Sequence, residues 1–199
     1  MSINHPEKLQ KRKVHQLERA NSLGIFPIRR NISPACHDVF YSIIDVLEPE
    51  ILGSGYSILR NLGVTIIGFS RFDQRHRHNG PPTKSIIDRV TSSNKPIETN
   101  LGSLAIFGSE IKSKLAVRLD SLELKKEQKD FEEAFNSIGY PLKDGYNDRG
   151  IYNPHCSVYS IDSCHAPHFK DQRILDRLTN LVHTELRDLV VSLDPVHIP

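Results

Sequence analysis

Within "IYNPHCSVYSID", residues 151–162, a histidine and a serine stand two positions apart in a stretch that alternates like a β-strand. Side chains of an extended chain alternate between faces, so His155, Ser157 and Tyr159 are expected on one face and Cys156, Val158 and Ser160 on the other. The apolar set can face a core, which leaves the polar set to face solvent or a cleft. An imidazole can move a proton near neutral pH, and a hydroxyl can donate a hydrogen bond to a phosphate oxygen. Together they suit cleavage or binding of a phosphate ester. The tripeptide alone is a weak signal, because 10 histidines give about one His-x-Ser/Thr match by chance. Weight comes from the preceding Asn153-Pro154, from the alternation and from the position late in a chain of mixed helices and strands. The plainer alternative is a half-exposed strand histidine bonded to a neighbouring carbonyl.

A second strand-like run carries part of the same pattern. "NLGVTIIGF" and "NPHCSVYSI" share a hydroxyl residue, Thr65 or Ser157, two positions after Gly63 or His155. Thr65 alone is an ordinary strand former, and Gly63 is expected to mark a bulge or a close backbone approach that opens room for a ligand. Downstream, "SRFDQRHRHNG" concentrates Arg71, Arg75, His76, Arg77 and His78. Arg75 and Arg77 are candidate RNA contacts there, with a solvated charge run as the plainer alternative. In "DSCHAPHF", Cys164, His165 and His168 follow closely on Cys156. A structural zinc site commonly uses two separated ligand pairs, and only one compact cluster is visible, so no metal and no cofactor is expected. Glycine-rich phosphate loops of Walker or Rossmann spacing and the nucleophile elbow are absent, which removes support for kinase, dehydrogenase and hydrolase readings.

Several elements must position these residues. Ser33-Pro34 starts a helix from about Pro34 to Leu47, with Val39, Phe40, Ile43, Ile44 and Leu47 at near-helical spacing. "GYSILRNLGVTIIGFSRF" reads as one or two strands, and "TKSIIDRVTSS" as a short helix with Ile86, Ile87 and Val90 inward. "PIETNLGSLAIFGS" and "SKLAVRLDS" are two strand-like runs spaced for an antiparallel hairpin. In "LKKEQKDFEEAFNSIGYPL", Phe131, Phe135 and Ile138 recur on one helical face and Gly139 supplies the stop. After the His155 strand, "DQRILDRLTNLVHTELRDL" reads as a last amphipathic helix and "VVSLDPVHI" as a closing strand. The pattern implies an α+β fold with antiparallel sheets. Residues 1–30 are expected to form a basic arm or helix, and residues 31–199 one domain.

Bulk properties limit the classes. At 199 residues the chain can bury a core without staples. Hydrophobic residues at 38% and charged residues at 25% are ordinary for a globular protein. Three cysteines and no secretory leader point to a reducing, cytoplasmic setting. No run approaches the roughly 20 apolar residues that span a bilayer, so no membrane partner is expected. The formal charge of +2 does not identify a nucleic-acid protein by itself.

"YNPHCSVYSI" resembles the second signature strand of the two-histidine (2H) phosphoesterases, in which Pro-His-x-Thr/Ser is followed by apolar residues. The order of elements is similar from Pro34 to Asp162. The resemblance implies two lobes with flanking helices, related by a pseudo-twofold, each giving one His-x-Thr/Ser strand to a central cleft. It implies metal-independent action on 2′,3′-cyclic phosphates, RNA ends and other nucleotide phosphodiesters, one histidine acting as base and the other as acid. By position His155 and Ser157 match the second motif, Thr65 matches the hydroxyl of the first, and Gly63 stands where the first histidine would be. Tyr159 is a further candidate for lining the cleft. Glycine transfers no proton, and no histidine lies between His37 and His76. A positioned acid or base contributes about 10²- to 10⁴-fold, so loss of one of a cooperating pair removes most activity. The expectation is a protein that binds a nucleotide or RNA-end phosphodiester with catalysis lost or altered. Alternatives are an active phosphodiesterase in which His76, His78, His165 or His168 replaces the missing group, and a non-catalytic interaction protein using its basic arm and loop.

Overall fold

A computed structural model describes residues 27–51, 56–58, 62–68, 71, 83–90, 94–108, 112–142, 152–162, 166–186 and 190–196. The first strand, β1 (Ile28–Asn31), alternates buried and half-buried side chains. A 3₁₀ turn opened by Pro34 leads into α1 (His37–Ile51), which buries Phe40, Ile43, Ile44, Leu47 and Ile51 along one stripe. Next come β2 (Tyr56–Ile58), β3 (Gly63–Ile67) and the short α2 (Thr83–Ile87), whose Ile86 and Ile87 are buried. The hairpin expected from sequence is β4 (Ile97–Gly108) with β5 (Lys112–Asp120). Ser121 caps α3 (Leu122–Ser137) by accepting from the Leu124 amide, and Gly139 at φ 73° ends that turn in the left-handed region open to glycine. The His155 strand is β6 (His155–Asp162), followed by the single turn α4 (Ala166–Phe169), α5 (Gln172–Glu185) and β7 (Val190–Leu193).

The strands form one antiparallel sheet in the order β1-β3-β6-β5-β4-β7, with β2 also pairing with β6. Its two ends meet: Ile32 bridges Leu193, and the Asp194 amide donates to the Asn31 carbonyl at 2.9 Å. The sheet is therefore curled, with α3 packed on β3 and α5 on β4 and α1. The fold is α+β with antiparallel strands and flanking helices, as the order of elements implied.

β1 differs from the sequence reading, since the arm boundary placed at residue 30 falls inside this strand. The misleading residue is Arg30, a charged side chain that is fully buried. Its Nε and Nη2 each donate to one Glu127 carboxylate oxygen at 2.7 Å, and Nη1 donates to the carbonyls of Lys95 at 2.7 Å and Asp194 at 2.8 Å. A bidentate partner and two carbonyls satisfy a cation that would otherwise not be buried. The pair ties β1 to α3 and to the segments that enter β4 and leave β7. Residues 1–26, the remainder of the expected arm, lie outside the described residues.

Candidate functional site

β3 and β6 run antiparallel with Val64 opposite Cys156. Counting outward from that pair sets Gly63 beside Ser157 and Thr65 beside His155. Val64 and Cys156 are both fully buried, so they face the core and the other four positions share the opposite face. The flanking strands repeat the arrangement. On β1, Asn31 lies opposite Gly63 and Arg29 opposite Thr65; on β5, Arg118 lies opposite His155 and Ala116 opposite Ser157.

The repeat extends to the irregularities. Arg29 pairs with Thr65 but Ile28 with Ile67, which leaves Ile66 as an extra residue on β3. Ala116 pairs with Ser157 but Leu115 with Tyr159, which leaves Val158 as an extra residue on β6. Each strand thus carries a β-bulge immediately after its hydroxyl residue, and a bulge interrupts the alternation of faces. Consecutive residues then turn inward: Ile66 with Ile67, and Val158 with Tyr159, are all fully buried. For this reason Tyr159 does not share the face of His155 and Ser157. Its hydroxyl donates to the Ile44 carbonyl of α1 at 2.7 Å, which makes it a core residue.

His155 is half-buried and held on two sides. Its Nδ1 lies 2.8 Å from the Asn153 carbonyl, an acceptor only, so Nδ1 carries the proton and Nε2 is left as the basic nitrogen of the neutral ring. The Phe107 ring stacks on the imidazole at 3.8 Å between centroids and 8° between planes. Burial lowers the His155 pKa below its ordinary value; the Asn153 hydrogen bond opposes this, while the nearby charges of Lys114 and Arg118 lower it further. A neutral imidazole in a cationic setting follows. Lys114 and Arg118 are exposed on the same side of β5, four residues apart with Ala116 between.

Gly63 sits where β1 approaches closely. A Cβ at this position would lie 2.7 Å from the Arg30 carbonyl oxygen, a backbone contact that a small side-chain adjustment cannot relieve. The same point is 3.4 Å from Arg29 Nη2 and 3.4 Å from Asn31 Oδ1, so two polar side chains of β1 fill the place above the glycine. Burial pushes the neighbouring Cys156 thiol up to about 12, against the lowering effects of a Gly63 backbone hydrogen bond and of Arg29, so it is no nucleophile at neutral pH.

Thr65 and Ser157 are both half-buried, and the Thr65 carbonyl accepts from the Tyr152 hydroxyl at 3.0 Å. Arg71 is buried and paired with Glu132 of α3. His168 is exposed on α4, with its ring edge-on to Phe169. Arg75, His76, Arg77, His78, Cys164 and His165 lie outside the described residues. Among the described residues no three His, Cys, Asp or Glu side chains come together as metal ligands, and no helix is long and apolar enough to cross a membrane. Sequence reading missed Arg29, Phe107, Lys114 and Arg118. In a strand the spacing of "KLAVRL" puts Lys114, Ala116 and Arg118 on one face, but the strand order that brings this face beside His155 is a long-range fact.

No family model and no curated protein matches the sequence. Among solved structures, Kluyveromyces marxianus Usb1 aligns over 84% of this chain and 89% of its own, with a TM-score of 0.50 and 14% identity. A structure of the same protein with uridine monophosphate aligns over 82% and 84%, with a TM-score of 0.49 and 14% identity. The MHV ns2 PDE domain aligns over 69% and 83%, with a TM-score of 0.41 and 13% identity. The fold is that of the two-histidine phosphoesterases, to which Usb1 belongs.

Proposed function

We propose that the face shared by β3 and β6 binds a nucleotide or RNA-end phosphodiester of the 2′,3′-cyclic type, with catalysis lost or strongly reduced. One observation carries this reading. Two strands with the same local form, each bulged after its hydroxyl residue, meet so that Gly63, Thr65, His155 and Ser157 occupy one face. Thr65 and Ser157 supply hydroxyl donors to phosphate oxygens, His155 is the acid/base group, and Gly63 forms part of the floor. Opening a cyclic phosphate requires one group to take a proton from the attacking water and another to protonate the leaving oxygen. His155 in its neutral form can do the first through Nε2. Gly63 provides nothing for the second, so binding outlasts turnover.

The test is incubation with 2′,3′-cyclic nucleotides and a short RNA ending in a cyclic phosphate, beside a His155→Ala variant. Saturable binding without turnover, weakened in the variant, supports the proposal. Turnover abolished by His155→Ala replaces it with an active phosphodiesterase that recruits a histidine outside the described residues, such as His76, His78 or His165. Absence of both leaves a fold reused for protein interaction. The contribution of Arg75 and Arg77 is tested in the same assay by replacing both, with reduced RNA affinity and a shallower salt dependence expected.

A further inference from the structure

We infer that Arg29 has taken the place vacated at Gly63, and that the site it completes prefers a terminal 2′- or 3′-phosphomonoester to the cyclic diester. The inference rests on the proposal that this face binds nucleotide phosphate. A side chain at position 63 would force β1 to shift, since its Cβ would lie 2.7 Å from the Arg30 carbonyl oxygen, whereas the Arg29 guanidinium already reaches within 3.4 Å of that point. Arg29 pairs with Thr65 across β1 and β3, which puts its stem on the face of the site. Its Nε is buried without a hydrogen-bond partner among the described residues. The two buried arginines among the described residues are otherwise committed, Arg30 to Glu127 and Arg71 to Glu132. A buried guanidinium Nε with no carboxylate partner among the described residues is an arrangement suited to an external anion.

The exchange of histidine for arginine changes the chemistry. A guanidinium does not give up its proton near neutral pH, so it cannot act as the missing acid, but its planar fork can hold two phosphate oxygens at once. A terminal phosphate carries about −1.5 to −2 charge and three acceptor oxygens. The cyclic diester carries a single charge and two such oxygens. Lys114 and Arg118 add positive charge on the His155 side, and a neutral His155 leaves its Nε2 to accept from a protonated ligand oxygen or a ribose hydroxyl. The positive charge favours the more highly charged end, and the Nε2 acceptor favours a free ribose hydroxyl, which the monoester has and the cyclic diester lacks.

The experiment is calorimetric titration of the full chain with adenosine 3′-monophosphate and with adenosine 2′,3′-cyclic phosphate, at neutral pH and low salt, for wild type, Arg29→Met, Arg29→Lys and His155→Ala. Wild type is expected to bind the monophosphate about tenfold tighter than the cyclic form. Arg29→Met should weaken the monophosphate by roughly 10- to 100-fold, the range of a charge-assisted hydrogen bond, and remove the preference. Arg29→Lys, which keeps the charge on β1 but loses the fork, should fall between. Thermal melting accompanies each variant, and the lysine variant carries the test if the methionine variant does not fold. An unchanged preference in folded Arg29→Met, or in Arg29→Lys if that is the only folded variant, overturns the inference. Equal wild-type affinities that are weakened by His155→Ala also overturn it while leaving the proposed function intact. No binding of either ligand by wild type overturns both.

Discussion

Replacing Glu127 by Gln tests how β1 is held against the site. The substitution keeps the shape of the side chain and one acceptor oxygen, but leaves Arg30 as a fully buried cation whose Nε and Nη2 now share a neutral partner. Removing one partner of a buried ion pair costs about 3–5 kcal/mol, and the retained amide oxygen places this variant near about 3 kcal/mol. For a domain whose total stability is of order 5–15 kcal/mol, that is a large fraction. Urea unfolding followed by circular dichroism gives the readout. With a slope of roughly 2 kcal/mol per molar urea, the midpoint should fall by about 1.5 M. Arg30→Met alone should be worse, because it buries an unpaired carboxylate and strips the Lys95 and Asp194 carbonyls of their donor. Adding Glu127→Leu to Arg30→Met removes the stranded charge and should recover stability relative to Arg30→Met. A midpoint shift for Glu127→Gln below about 0.5 M, equivalent to about 1 kcal/mol, refutes the claim that this pair anchors β1.

Gly63→Ala should destabilise by about 1–3 kcal/mol despite adding only one methyl group, because the new carbon meets the Arg30 carbonyl at 2.7 Å; a melting temperature equal to wild type contradicts the close approach. Phe107→Ala removes the ring stacked on His155 and should raise the imidazole pKa toward its ordinary value, as followed by NMR titration of the histidine ring; no rise shows that the stack does not cause the desolvation. Because the folded pKa of His155 is lowered, the unfolded chain binds more protons just below the unfolded value of 6.5, and this site's contribution to stability, present above that pH, is lost as pH falls through the folded value. His155→Gln should therefore flatten the loss of stability on acidification, and an unchanged slope removes His155 from that account.

The parts of the fold legible in the sequence were those set by local pattern. Phe131, Phe135 and Gly139 marked α3, and the runs around Leu104 and Val117 marked the hairpin, because helical spacing and a short connection are local facts. The pairing of His155 with Ser157 was readable for the same reason, since two residues separated by one share a strand face. Tyr159 broke that rule through the bulge at Val158, which depends on the partner strand and leaves no mark in the alternation. β1 was hidden because Arg30 reads as a surface residue until Glu127, 97 positions away, is brought against it. Arg29 was hidden with it. Gly63 read as an empty position, whereas Arg29 Nη2 and Asn31 Oδ1 of the neighbouring strand each lie 3.4 Å from where its Cβ would be.

The proposed function requires that the β3/β6 face hold phosphate. Its most direct test is an NMR titration of the histidine side chains with adenosine 3′-monophosphate, in wild type and in a Thr65→Val, Ser157→Ala variant. Saturable shifts of the His155 Nε2 and Cε1 signals are expected, lost in the variant, while the other described histidines, His37, His168 and His183, stay unmoved. Saturable shifts confined to those other histidines, with His155 unchanged, would contradict it.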